Sequence, residues 1–286
     1  MRKTLIICLI TLISTACTIK TLYNQLDWLI ADRLESYVEL TSEQQTRLYA
    51  NIQRTLAWHR SNQLPLYVKW LQEFKSDILG TATQQNIGLK IDQFQLFLRA
   101  IRAHSANEMA RLLPLLSAEQ RQQIYRHMDE ENEKFADRYI EVDRDEQIDV
   151  YAERMEKQLE SWLGSLNDKQ ESIVQASAKQ IQPVATEVLA SRHRWQAEFR
   201  DILENHHKPK IIADKLQDLL VNIEKQRSVN YKKLFAHNRQ VLIQLIIDIA
   251  SSMDSPQRAY LTDKVDTYSQ YFTELANEAK LSTVNQ

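Results

Sequence analysis

Residues 64–79 read LPLYVKWLQEFKSDIL, and their apolar side chains Leu64, Tyr67, Trp70, Leu71, Phe74 and Ile78 recur at steps of three and four. That spacing places them on one side of a helix. Pro65 falls in the first turn, where its missing N–H costs nothing. The same period runs outward in both directions. Leu22, Leu26, Leu29, Ile30, Leu34 and Tyr37 mark a face upstream, and Ile87, Ile91, Phe94, Leu98 and Ile101 mark one downstream. Three glycines in 286 residues leave few sites for tight hairpin turns, which argues against sheet. The expected fold class is therefore all-α, an elongated multi-helix bundle with one or more long helices. Residues 117–163 hold no Gly or Pro. Unbroken, they would form a helix about 70 Å long, so a projecting hairpin or an unrecognised break is expected there. Pro183 and Pro209 start or kink later helices. Residues 241–249 (VLIQLIIDI) are apolar nearly all round and suit a central helix.

A start signal recurs between these segments. Leu40-Thr41-Ser42-Glu43-Gln44, Leu116-Ser117-Ala118-Glu119-Gln120, Leu166-Asn167-Asp168-Lys169-Gln170 and Met253-Asp254-Ser255-Pro256-Gln257 each pair an apolar residue, an oxygen-bearing side chain, two spacers and Gln. In a capping box the oxygen accepts from the third helical N–H, while Gln accepts from the cap's own N–H. The first and third copies also share downstream text: Glu73-Phe74-Lys75-Ser76-Asp77-Ile78-Leu79 and Glu198-Phe199-Arg200-Asp201-Ile202-Leu203. A duplication covering roughly 40–115 and 166–250 would explain this, and so would chance likeness between amphipathic helices. The irregular spacing excludes a fixed-period solenoid.

The N-terminus carries an address. Arg2 and Lys3 precede an apolar run over residues 5–13, followed by Ser14-Thr15-Ala16-Cys17. Basic, apolar and small residues in that order form a secretory signal. The closing cysteine resembles the bacterial lipobox, with Ser14 standing where an aliphatic residue is usual. The resemblance implies cleavage after Ala16 and lipidation, including palmitate, of Cys17. The apolar run is too short to span a bilayer. The domain reading is thus a signal peptide at 1–16 and one all-helical periplasmic domain at 17–286. Removing Arg2 and Lys3 from the 36 Lys+Arg leaves 34 against 38 Asp+Glu, a formal charge of −4, which offers no basic surface for nucleic acid. Cys8 leaves with the signal and Cys17 takes lipid, so the mature chain has no thiol for a disulfide. Thr18 is not the Asp that favours inner-membrane retention, so the expected site is the outer membrane, facing the periplasm.

Two further resemblances rest on motifs. Tyr23-Asn24-Gln25-Leu26-Asp27-Trp28-Leu29, Tyr37, Leu40 to Gln44, Trp58-His59-Arg60 and Leu64-Pro65-Leu66-Tyr67 resemble a family of proteobacterial lipoproteins with a domain of unknown function. That likeness implies no catalytic residues. Leu40-Thr41-Ser42-Glu43-Gln44 is also similar to the Leu-Thr-x-x-Gln repeat of periplasmic stress proteins of the Spy and CpxP kind. In the other copies Ser117, Asn167 and Asp254 replace its Thr.

Two groups of side chains stand out as candidate sites. Asp27, His59 and Arg60 would form either a buried polar network between the first helices or a catalytic carboxylate–histidine site. The network is favoured, because partly buried charges need partners. It places Asp27 and His59 on facing helices, mostly buried. Residues 127–149 are strongly acidic, and Asp129, Glu130, Glu133 and Asp137 lie among Phe135 and Tyr139. They suggest a helix surface for a basic or unfolded partner, against the simpler reading of a solvated face. Metal and cofactor sites are not expected. The histidines at 59, 104, 127, 193, 206, 207 and 237 show no His-x-x-x-His spacing, and no nucleophile elbow or phosphate loop is present. The expected function is non-enzymatic: a lipid-anchored envelope scaffold, accessory or weak chaperone-like binding protein with a protein partner and no small-molecule substrate. The alternative is an envelope enzyme acting on cell wall or lipid through a carboxylate and His59.

Overall fold

A computed structural model describes residues 20–205 and 208–284 of the chain. The expected signal at 1–16, Cys17, His206 and His207 lie outside the described residues. Among the described residues there is no strand, and the protein is an all-α multi-helix bundle. In chain order the helices are α1 (Leu26–Glu35), α2 (Ser42–Asn62), α3 (Leu64–Leu79), α4 (Gln84–Leu112), α5 (Ala118–Tyr139), α6 (Arg144–Leu163), α7 (Asp168–Gln180), α8 (Ala185–Asn205), α9 (Pro209–Val221), α10 (Val229–Ser252) and α11 (Ser255–Val284). Short 3-10 turns at Leu113–Leu115 and Ile223–Gln226 follow α4 and α9.

All four start signals fold as capping boxes. The hydroxyls of Thr41 and Ser117 accept from the Gln44 and Gln120 N–H groups, and both glutamines accept in return. Asn167 and Gln170 do the same for α7. At the start of α11, Asp254 accepts from the Gln257 N–H at 2.9 Å and Gln257 accepts from the Asp254 N–H at 3.2 Å. Each such cap is worth about 1 kcal/mol. A fifth box, Thr83 with Asn86, opens α4.

The Gly- and Pro-free stretch 117–163 contains a break, and the two helices flanking it pack mainly on other helices. Helix α5 ends at Tyr139 and α6 starts at Arg144 under an Asp143 side chain that accepts from the Glu146 N–H at 2.9 Å. Helix α5 packs on α8, and α6 packs on α7.

The described residues fall into two compact units, where the sequence suggests one domain from 17 to 286. One unit comprises the described residues within 1–72 and 265–286, the other those within 73–264. The first joins the chain's beginning to its end. Tyr23, Leu64, Leu275 and Ala276 are its buried centre, with Leu26, Tyr67 and Phe272 against them. The Lys20 ammonium meets Glu278 at 2.7 Å and Glu274 at 3.3 Å, fastening the helical turns before α1 to α11.

In the second unit α10 packs against α4, α7 and α8. Val241, Ile243, Leu245 and Ile249 are buried there, as the central-helix reading expects, although Leu242 remains 40% exposed. Helix α4 approaches α10 at Gly88, where Arg239 donates to the Gly88 carbonyl at 2.9 Å and to Asp92 at 2.8 Å. A Cβ at Gly88 would lie 3.3 Å from that guanidinium, so the missing side chain lets the arginine reach the helix backbone. The two stretches of similar text become helix pairs of different proportion: α2 and α3 have 21 and 16 residues, α7 and α8 have 13 and 21.

Candidate functional site

The His59 cluster is built from three helix ends of the first unit. His59 lies in the last turn of α2 and Tyr67 in the first turn of α3. Only Gln63, itself with helical φ and ψ, separates those helices, and the Tyr67 N–H donates to its carbonyl at 3.0 Å, so helical turns continue across the junction between positions 59 and 67. Tyr23 comes from the turns before α1 and is 8% exposed. Its hydroxyl lies 2.7 Å from His59 Nδ1, and the Tyr67 hydroxyl lies 3.2 Å from His59 Nε2. A neutral imidazole has one donor and one acceptor nitrogen, so one tyrosine accepts and the other donates. The rings pack as well: Tyr23 stacks on His59 at 5.9 Å, and Tyr67 meets it edge-on at 5.4 Å. Phe272 of α11 closes the group against Tyr67 at 6.2 Å.

Burial sets the protonation of this cluster. It pushes His59 down to about 4, keeping the ring neutral, and pushes Tyr23 and Tyr67 up to about 12. For Tyr23 the nearby Arg60 opposes the rise. The Arg60 guanidinium lies over the Tyr23 ring at 5.2 Å and donates to Asn24 at 3.0 Å.

Asp27 does not join this group, which corrects the expected Asp27–His59–Arg60 network. Its carboxylate accepts from the adjacent Trp28 N–H at 2.8 Å, and no hydrogen bond or ion pair links it to His59 or Arg60. Both Asp27 and His59 are half-buried. A phenol loses less solvation than a carboxylate on burial, so Tyr23 is the less costly partner for a neutral imidazole. The trio can lock three helix ends together. A histidine at about 4, held by two tyrosines at about 12, has no group tuned to exchange a proton near neutrality.

On α5 the acidic-aromatic residues divide into two faces. Glu130, Glu133 and Asp137, at steps of three and four, are exposed. The aromatics are half-buried beneath arginines. Phe135 and Tyr139 pack at 4.9 Å; Arg192 of α8 covers Phe135 at 4.2 Å, and Arg154 of α6 covers Tyr139 at 5.1 Å. Arg154 also donates to the Tyr139 hydroxyl at 2.8 Å. Asp129 pairs with Arg200 of α8 at 2.7 Å, and that guanidinium lies 4.8 Å from the Tyr125 ring.

These pairings belong to one antiparallel series that sequence reasoning missed. Along α8 the positions are Glu204, Arg200, Gln196 and Arg192, four residues apart. Glu204 accepts from the Tyr125 hydroxyl at 2.9 Å and from Arg121 at 3.3 Å, and that hydrogen bond adds to burial in raising the Tyr125 phenol. Gln196 accepts from the Asn132 amide at 2.7 Å. The signal was the four-residue repeat of long polar side chains on α8, which an amphipathic reading assigns to solvent.

Among the described residues no group of three or more His, Cys, Asp or Glu side chains could hold a metal ion. No helix there is long and apolar enough to cross a membrane. No curated protein and no solved structure matches the chain. The match to a family spans residues 36–232, which takes in His59, Arg60, Tyr67 and all of α5 and α8 but leaves out Tyr23, Asp27 and α11. On that match the chain belongs to a family of unknown function, DUF6279.

Proposed function

We propose that the protein is a non-enzymatic scaffold or accessory binding protein of the bacterial envelope, lipid-anchored through Cys17 to the outer membrane and facing the periplasm. The observation that carries the non-enzymatic reading is the environment of His59. Both of its ring nitrogens are taken by tyrosine hydroxyls and its carboxylate candidate Asp27 is bonded elsewhere, so the alternative of a carboxylate–His59 enzyme lacks its pair. The binding surface in this reading is the exposed side of α5. With Phe135 and Tyr139 covered by Arg192 and Arg154, that side offers carboxylates and little apolar area. A folded partner with a basic face suits it better than an unfolded apolar client.

The test has two parts. Cys17→Ser should move the protein from the membrane to the soluble fraction, and unchanged fractionation would remove the anchor. Crosslinking in intact envelopes should recover a partner with the native chain and lose it when Glu130, Glu133 and Asp137 are changed to Lys. Undiminished recovery, with helicity preserved, would place the interface elsewhere.

A further inference from the structure

Three arginines gather where the middle of α4 meets the chain between α9 and α10, all within the second unit. Arg99 and Arg102 stand three residues apart on α4, which makes them neighbours on its surface. Arg227 lies between the 3-10 turn after α9 and the Ser228 cap of α10. Arg99 donates to the Asn222 side-chain carbonyl at 3.3 Å, tying α4 to that turn. The Arg227 guanidinium lies over the Tyr231 ring at 5.2 Å and the Phe235 ring at 4.6 Å. Those rings steady it without using a hydrogen-bond donor.

The charges in this group are poorly matched. Among the described residues the guanidiniums of Arg102 and Arg227 form no hydrogen bond or ion pair, and Arg102 Nε is buried without an acceptor. Burial lowers the Arg102 guanidinium below its ordinary value; Glu224 opposes that, and Arg227 and Arg99 add to it. Arginine stays charged at neutral pH regardless. Three positive charges thus face one carboxylate, and 3 − 1 leaves two unmatched. Carboxylates along the adjoining chain are engaged elsewhere. Asp218 pairs with Lys225 at 2.6 Å, and Glu187 accepts from Ser228 and Asn230 at 2.7 Å. Like charges held together without an anion repel, and a half-buried one also loses solvation.

Guanidinium forks match the oxygens of carboxylate and phosphate. A carboxylate brings two oxygens and a single charge. A phosphate monoester brings three free oxygens and a charge of about −1.5 to −2 at neutral pH, which suits both the donors and the unmatched charge.

We infer that Arg99, Arg102 and Arg227 form a binding site for a phosphate dianion, carried by inorganic phosphate or by a phosphomonoester headgroup. The site needs neither the lipid anchor nor the exposed side of α5, so it stands or falls apart from the reading above.

Calorimetric titration of the purified protein with inorganic phosphate, at low salt and above neutral pH, should show one saturable site. Phosphate should also raise the melting temperature as its concentration rises. Arg102→Gln and Arg227→Gln should each weaken binding by about tenfold, as expected for losing one charge-assisted hydrogen bond. Arg47→Gln, at an exposed pair with Glu43 in the first unit, should leave it unchanged. Glu224→Gln should tighten binding, because it removes the opposing carboxylate and leaves the arginines in place. That variant reads the site even if an arginine variant fails to fold. Phosphatidylcholine vesicles with and without phosphatidic acid separate the two sources. Capture by phosphatidic acid that inorganic phosphate displaces makes the ligand a lipid, and phosphate binding without capture makes it a soluble ion or ester; both support the site. Absence of saturable phosphate binding would overturn the inference. So would binding undiminished in both folded arginine variants, or capture of a polyglutamate peptide without phosphate.

Discussion

The side-chain amides of Gln170 and Gln257 hydrogen-bond to each other in both directions, at 2.9 and 2.8 Å. Each is also the third residue of its own helix and closes its capping box, so each carbonyl accepts twice, once from a cap N–H and once from the other glutamine. Gln257 donates further to the Ser165 carbonyl at 2.7 Å. They are 0% and 4% exposed, so two helix starts 87 residues apart share one buried polar junction. Gln170→Ala should cost about 2–4 kcal/mol, because it removes a cap acceptor and leaves a buried amide short of partners. A double-mutant cycle with Gln257→Ala in urea should give a coupling above about 0.5 kcal/mol. Additive losses would mean that the junction contributes nothing of its own.

His59 should make the fold sensitive to acid. Its folded value, about 4, lies below its ordinary 6.5, so above 6.5 the ring is neutral in both states and its contribution is complete. As pH falls from 6.5 towards 4, the unfolded chain binds a proton that the folded chain refuses, and stability declines; below 4 this loss stops growing. Partial solvent access limits the loss to about 1–2 kcal/mol. Urea midpoints at neutral and acid pH should differ less in His59→Phe than in the native chain. Ring NMR shifts of His59 should show no inflection near 6.5.

The contact between α5 and α8 should respond to salt more than the apolar contacts of α10. It relies on Arg200 with Asp129 and the buried Tyr125 ring, and on Arg121 with Glu204, both ion pairs partly exposed. Partly exposed ion pairs of this kind are worth about 0–1 kcal/mol and weaken with ionic strength. Arg200→Ala removes an ion pair and a cation–π contact together and should cost about 1 kcal/mol. Amide exchange in α5 should quicken in that variant and in high salt, with α10 unchanged. Uniform exchange across both helices would contradict this.

Gly164 closes α6 with φ +87°, the positive-φ glycine among the described residues. A Cβ there would also stand 3.4 Å from the Tyr260 ring. Gly164→Ala should destabilise by about 1–3 kcal/mol, the range for a side chain forced into sparsely populated backbone space. Thermal unfolding of the purified variant measures it. A neutral result would show that the α6–α7 connection relaxes freely.

Helix starts were legible from sequence because a capping box closes over four residues and needs nothing distant. The starts that escaped notice used relatives of the same pattern. Asp143 with Glu146 lay hidden in a run of acids, and Thr83 paired with Asn86 in place of Gln. Side-chain partners were less legible. Tyr23 and Asp27 stand four residues apart, and only the tertiary approach of their stretch to α2 decides which of them meets His59. The cover over the aromatic residues of α5 was not legible, because it comes from Arg192 and Arg154, each on another helix. Nothing local in either glutamine segment points to the pairing of Gln170 with Gln257.

The unit that joins residues 1–72 to 265–286 has a consequence for synthesis. The chain is made from its N-terminus, and the Leu275 and Ala276 that cover Tyr23 and Leu64 emerge only after all of residues 73–264. Residues 73–264 hold their own helix pairings and have no such wait. Tyr23 and Leu64 therefore stay uncovered until then, open to proteases and to other nascent chains. A chain truncated after Lys264 should be cut readily around the α2–α3 junction, while the chain of residues 17–286 resists.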